Sequence, residues 1–96
     1  MIESVDSRLQ VLPGGDLIER GLDDHDRGIP SVEALLVSIG APRLQRLGFH
    51  VIDPIPSAER RLYEQLRAED ADAAHARYNA LVRRLVSFER AAECVK

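Results

Sequence analysis

The chain has 96 residues, of which 45% are apolar and 30% charged, and its formal net charge is −3 at pH 7. This length and balance predict one folded domain, residues 1–96, with a modest core, and they argue against a disordered chain. Because general nucleic-acid binding requires a basic surface, the acidic whole makes nucleic acid an unfavoured partner.

Membrane insertion and disulfide chemistry find no support in the sequence. The longest apolar stretch, residues 34–37 (ALLV), is too short to span a bilayer, and the acidic residues 1–6 do not resemble a signal peptide. Cys94 is the single cysteine, which excludes an intrachain disulfide. We therefore expect a cytoplasmic protein without membrane contact. Twelve of its thirteen basic residues are arginine, which is typical of a GC-rich genome. We expect that genome to be bacterial.

The first thirty residues predict two helices. Ile2, Val5, Leu9 and Leu12 have helical spacing, and residues 13–15 (PGG) end this first helix. Asp16 is the predicted N-cap of a second helix that Gly28 ends. Gly21 lies inside that helix at a cost of about 1 kcal/mol relative to alanine, so we expect close backbone packing there.

A central helix follows. Ser31 is its predicted N-cap, Gly40 ends it, and its residues are apolar nearly all round, which is typical of the most buried helix of a bundle. Pro42 then opens a short helix over residues 43–47 that Gly48 ends. Residues 49–56 (FHVIDPIP) contain two prolines and four large apolar residues, and they predict an extended strap on the core.

The second half predicts either one helix or two. Ser57 is a predicted N-cap, and no glycine or proline interrupts residues 57–93. Acidic groups are favourable at a helix N-terminus, so Glu69, Asp70 and Asp72 favour a turn near residues 69–71 and a new helix after it. A single continuous helix is the alternative.

The last helix carries two apolar stripes. One is a heptad seam with spacings of three and four: Ala71, Ala74, Tyr78, Leu81, Leu85, Phe88, Ala92 and Val95. Val82 and Val86 form a second stripe beside it. We expect the seam to be longer than the core can cover and arginines beside it to pair with acidic residues across an interface. The predicted interface residues are Arg77, Tyr78, Leu81, Val82, Arg84, Val86 and Phe88.

Polar clusters give weak candidates for chemistry. Asp23 and Asp26, three residues apart, would bind a cation together with a histidine, although a solvated acidic helix end is the preferred interpretation. His75 would face Asp72, and His50 and Asp53 lie in the strap. Cys94 has no histidine beside it. No nucleophile, phosphate-loop or fixed metal-ligand pattern is present, so we assign neither catalytic residues nor a metal or cofactor.

The predicted fold is an all-α compact bundle of four to six helices, with a long amphipathic C-terminal helix and an extended strap at residues 49–56. The favoured function is a non-enzymatic protein-interaction module that acts through the C-terminal helix, as a homodimer or as a partner-binding subunit. The alternatives are a small regulatory or DNA-associated protein resembling an antitoxin, and a metal-dependent enzyme that uses Asp23, Asp26 and a histidine.

Overall fold

The computed structural model describes residues 11–95 and folds them into five α-helices, with no strand among those residues. They are α1 (Gly15–Asp26), α2 (Val32–Ile39), α3 (Ala41–Arg46), α4 (Ala58–Glu69) and α5 (Ala74–Val95). The predicted all-α bundle is confirmed. The helix predicted from Ile2 to Leu12 falls almost wholly outside the described residues.

Helix α2 is the centre of the bundle. Ala34, Leu35, Leu36 and Val37 are each at most 1% exposed, and α2 packs against all four other helices. A helix in this position has little contact with solvent, which is why its sequence is apolar nearly all round. Each buried leucine contributes about 1.5–3 kcal/mol relative to an exposed one. The prediction of a central buried helix is confirmed.

Helix α1 begins two residues earlier than predicted. Gly14 occupies the N-cap position with φ 73°, and Asp16 lies in the first turn instead of capping it. A Cβ at Gly14 would lie 3.1 Å from the carbonyl oxygen of Arg84 on α5. Only glycine combines the left-handed backbone with this close approach to α5, so the cap moves from Asp16 to Gly14.

Gly21 sets how closely α1 approaches α2. A Cβ at Gly21 would lie 2.4 Å from the carbonyl oxygen of Glu33 and 2.7 Å from Cγ1 of Val37. Both distances are shorter than any van der Waals contact, so only glycine permits this helix crossing. The expected close backbone packing is confirmed.

The two predicted serine caps behave differently. Ser31 Oγ accepts a hydrogen bond from the backbone N–H of Ala34 at 3.1 Å and donates one to Asp24 Oδ2 at 2.7 Å. Ser57 lies at the N-cap position of α4, but its side chain makes no capping hydrogen bond. Its φ of 56° is left-handed, whereas a capping side chain requires an extended backbone. The cap at Ser31 is confirmed, and the one at Ser57 is wrong.

Residues 49–56 form the predicted strap. Val51 is 2% exposed, and the ring of Phe49 lies 5.7 Å from that of Phe88. Gln45 Nε2 donates to the Val51 carbonyl at 2.7 Å, and Ser38 Oγ accepts from the Ile55 N–H at 3.1 Å. These contacts fix the strap across the ends of α2 and α3.

A turn separates α4 from α5, so residues 57–93 form two helices. The backbone N–H groups of Asp72 and Ala73 both donate to Asp70 Oδ1, at 3.2 and 3.3 Å. Asp70 itself is extended, with φ −161° and ψ 98°. Its carboxylate therefore occupies N–H groups that would otherwise continue α4, which is the physical reason for the break.

We expect Ser31→Ala to lower the free energy of unfolding by about 0.5–2 kcal/mol, because it removes the cap of α2. Ser57→Ala is the matched control, and its effect should stay within about 0.5 kcal/mol because no cap is lost. Urea denaturation measures both. Equal losses in the two variants would contradict the cap assignment.

Replacing Gly21 by alanine should destabilise the protein by about 1–3 kcal/mol, because the new Cβ overlaps α2. Helix propensity alone predicts the opposite, a gain of about 1 kcal/mol. The exposed neighbour Arg20 provides the control, since Arg20→Gly should show the propensity effect without overlap. A higher thermal midpoint for Gly21→Ala would disprove the close crossing.

Candidate functional site

The heptad seam of α5 faces the protein's own core. Ala71 lies exposed in the turn before α5. The seam residues in the described part of the helix are buried or half-buried: Ala74, Tyr78, Leu81, Leu85, Phe88 and Ala92. Tyr78 packs edge-on against Tyr63 of α4, with ring centroids 5.8 Å apart. The expectation that this seam is too long for the core is therefore wrong for residues 74–92, because α2, α4 and the strap cover it.

A second row of side chains lies outside the seam. His75, Val82, Val86 and Glu93 are separated by seven, four and seven residues, and at about 100° per residue they return to the same side of α5. We name these four residues the α5 stripe. His75 and Glu93 are exposed, Val82 is half-buried and Val86 is 37% exposed. The stripe thus has two valines at its centre and a polar group at each end.

The His75 ring has a defined hydrogen-bond partner. Its Nε2 lies 3.2 Å from Nδ2 of Asn79, one turn later. Because an amide nitrogen is a donor, Nε2 accepts this bond, and in neutral His75 the proton is on Nδ1. The predicted contact of His75 with Asp72 is not observed, since Asp72 lies in the turn before α5.

Glu93 is held in place by Arg43 of α3. Arg43 Nε donates to Glu93 Oε2 at 2.9 Å, and its second nitrogen, Nη2, lies 2.8 Å from Oε1. Arg43 also lies 3.6 Å from Oε1 of Glu89, whose side chain is 6% exposed. A Cβ at Gly40 would lie 2.8 Å from Glu89 Oε2, so the missing side chain at Gly40 makes room for this carboxylate.

The two carboxyl groups have opposite pKa shifts. Burial raises the pKa of Glu89, and the attraction of Arg43 only partly opposes this. The hydrogen bond from Arg43 lowers the pKa of Glu93. The same bond raises the pKa of the Arg43 guanidinium, so Arg43 stays charged and ties the end of α5 to α3.

Sequence reasoning missed this cluster, although a signal was present. Glu89 and Glu93 are four residues apart on α5, where like charges repel each other. A cation between them removes that repulsion, so the spacing indicates a basic residue from another helix. Nothing in the sequence identifies Arg43 as that residue, because the contact joins positions fifty residues apart.

The arginines of α5 separate into two groups. Arg77 contacts Glu69 at 2.8 Å, and Arg84 lies 3.7 Å from Asp16. Both line an open groove of about 550 Å³ between α2, α4 and α5. The predicted pairing of Arg77 and Arg84 with acidic residues occurs within the chain, because the ends of α1 and α4 lie beside α5. Arg83 and Arg90 are exposed on the other side.

Of the predicted interface residues, Val82 and Val86 are the apolar ones that lie outside the core. Phe88 is fully buried against Phe49, so its prediction as an interface residue does not fit the structure. Leu81 and Tyr78 are half-buried and pack against the core. Burial also raises the pKa of the Tyr78 hydroxyl, with a further contribution from Glu59.

The acidic end of α1 is engaged in contacts of its own. Asp23 lies 3.3 Å from Arg27, Asp24 accepts from Ser31, and His25 Nε2 lies 2.6 Å from the Ile52 carbonyl oxygen. Among the described residues, no three histidine, cysteine or acidic side chains come together as a metal site. The proposed pairing of Asp23 and Asp26 with a histidine thus has no geometric support.

The remaining candidates are on the surface. His50 and Asp53 are exposed in the strap, and Asp53 has a left-handed backbone with φ 52°. Cys94 is free and exposed near the end of α5.

No family model matches this chain, and comparisons with curated proteins and with solved structures found no similar protein. Among the described residues, no helix has the length and apolar character that crossing a membrane requires.

The opposite pKa shifts predict opposite pH dependences. The folded state holds a proton on Glu89 more tightly than the unfolded state does, so stability falls as pH rises from the ordinary glutamate value of 4.5 through the raised pKa. Glu89→Gln removes this loss. Its free energy of unfolding, relative to the wild type, should therefore increase over that range in urea titrations.

Glu93→Gln is the matched control on the same helix. Because the folded-state pKa of Glu93 is lowered, its contribution is present above 4.5 and disappears as pH falls through the lowered value. The wild type should therefore exceed this variant in stability at neutral pH, and the difference should shrink in acid. Parallel pH trends in the two variants would contradict the assignment.

Proposed function

We propose that the protein is a non-enzymatic interaction module that acts through the α5 stripe, by pairing with itself or with a protein partner. The observation that carries this proposal is the place of Val82 and Val86. They lie next to each other on the longest helix, outside the seam that the core covers, and Val86 is 37% exposed.

The surroundings of the two valines support a specific contact. Polar residues frame them at both ends, and interfaces commonly have an apolar centre inside a polar rim. The framing groups are also ordered, because Asn79 binds His75 and Arg43 binds Glu93. An interface whose polar side chains are already fixed loses little side-chain entropy on binding.

Domain size also favours association. A chain of fewer than a hundred residues buries a smaller fraction of its surface than a larger domain does, so burying more apolar surface in a complex adds stability. We propose a cytoplasmic, bacterial setting for this module, supported by the free, exposed Cys94 and the arginine-rich composition.

Replacing Val82 and Val86 together by glutamate should abolish association and leave the chain folded. Light scattering over a concentration series measures the molar mass, and circular dichroism measures the helix content. Leu85→Glu is the control for burial, since it places a charge in the core at a residue that is 3% exposed and should unfold the protein.

The proposal also covers a partner other than a second copy. Photo-crosslinking from Ser87, an exposed α5 position outside the stripe, tests this in the native cell. A monomeric wild type whose crosslinked products are the same as those of the double glutamate variant would overturn the proposed function.

A further inference from the structure

We propose that the α5 stripe binds the same stripe of a second copy of this chain, with the two α5 helices antiparallel. In this arrangement Val82 contacts the partner's Val86, and His75 contacts the partner's Glu93. The inference rests on the proposed function, and it adds the identity of the partner, the orientation and the register.

The order of residues along the stripe is self-complementary. His75 lies seven residues before Val82, and Glu93 lies seven residues after Val86. Suppose that Val82 lies opposite the partner's Val86 in an antiparallel pair. The two-fold axis then lies midway between these two positions, and each residue faces the partner's residue that is equally far from the axis along the sequence. His75 then falls opposite the partner's Glu93, and the same contact repeats at the other end.

Charge selects the antiparallel orientation. A parallel pair in register would place each Glu93 beside the partner's Glu93, and such a like-charge pair opposes association. In the antiparallel pair, Glu93 instead approaches an imidazole, and Arg90 approaches the amide of the partner's Asn79. The stripe is therefore complementary to its own inverted copy.

The hydrogen-bonding groups at each end fit this contact. Asn79 occupies Nε2 of His75, so the N–H at Nδ1 is a donor to which the described part of the chain supplies no acceptor. Glu93 binds Arg43 through both oxygens, yet a carboxylate accepts about four hydrogen bonds, and its side chain is 49% exposed. Arg43 thus holds the Glu93 acceptor still for the imidazole of a second copy.

Spin-label distances measure the orientation. Ala76→Cys and Ser87→Cys, each in a Cys94→Ser background, carry labels on exposed positions outside the stripe. In the antiparallel pair the two Ala76 sites are about 24 Å apart along the helix axis, and the two Ser87 sites are about 9 Å apart. The helices themselves are about 8–10 Å apart. The inference thus requires a long distance at residue 76 and a short one at residue 87, whereas a parallel pair gives equal short distances at both.

Substitutions at His75 measure the hydrogen bond to the partner's Glu93. His75→Ala removes the Nδ1 donor and should raise the dimer Kd about three- to tenfold, because the contact is lost at both symmetric ends, whereas His75→Gln keeps an N–H donor and should raise the Kd less. Alanine has the highest helix propensity, so His75→Ala leaves the fold intact. Ala80→Glu, an exposed change on the groove side of α5, should leave the Kd unchanged.

Each outcome decides the matter. A long distance at residue 76, a short one at residue 87 and a larger loss of affinity in His75→Ala than in His75→Gln support the antiparallel dimer. A dimer that Val82→Glu/Val86→Glu disrupts, but that shows equal label distances or no response to His75, overturns this inference and leaves the proposed function standing. A wild type that stays monomeric at millimolar concentration overturns the self-pairing, and the crosslinking comparison then decides the proposed function separately.

Discussion

The structure depends on the burial of α2 against all four other helices. A helix that contacts every other described helix fixes the axes of its neighbours, since none of them can shift without opening a gap in a close-packed core. The tightest of these contacts is with α1 at Gly21, where backbone meets backbone and no side chain intervenes. This crossing sets the position of α1, and with it the acidic first turn whose Asp16 approaches Arg84 of α5.

The same constraint decides which side of α5 remains outside. Because α2, α4 and the strap cover the seam at Leu85 and Phe88, the helix packs one side against the core and turns the opposite side to solvent. The stripe lies at the boundary between the two, where Val82 is half-buried and Val86 is exposed. An apolar residue in such a place contributes little to the fold of the single chain. Its burial becomes favourable when another surface excludes water from it.

The sequence predicted features that local chemistry determines. The apolar composition of α2 indicates its central place, and Ser31 indicates where it starts. The paired prolines predict the strap, and the acidic residues at 69–72 predict the break before α5. Ser57 shows where such reasoning fails, because a cap requires both the residue type and an extended backbone. The path of the chain from the strap into α4 imposes a left-handed backbone instead. Gly14 displaced Asp16 as the cap of α1 for a similar reason, since α5 lies against it.

The candidate site depended more on contacts between distant residues, which a single sequence does not show. A long heptad seam resembles an interface whether its cover is another chain or the protein's own helices, so the seam alone does not show that Phe88 is buried in the core. The second stripe at Val82 and Val86 was visible because it falls outside the seam. The polar ends of this stripe are not evident from the sequence, since the role of Glu93 depends on Arg43, fifty residues earlier.

The contact between Arg43 and Glu93 links the fold to the surface of α5. Glu89 is buried beside the same guanidinium, and its unfavourable desolvation is reduced by that positive charge. Arg43 therefore serves two carboxylates, one that is part of the packing around Gly40 and one that faces solvent. Without the buried Glu89, the Arg43 side chain would adopt many conformations, and the Glu93 carboxylate would move with it. The buried Glu89 thus helps to keep Arg43 in place, and Arg43 in turn orients the exposed carboxylate at the end of the α5 stripe.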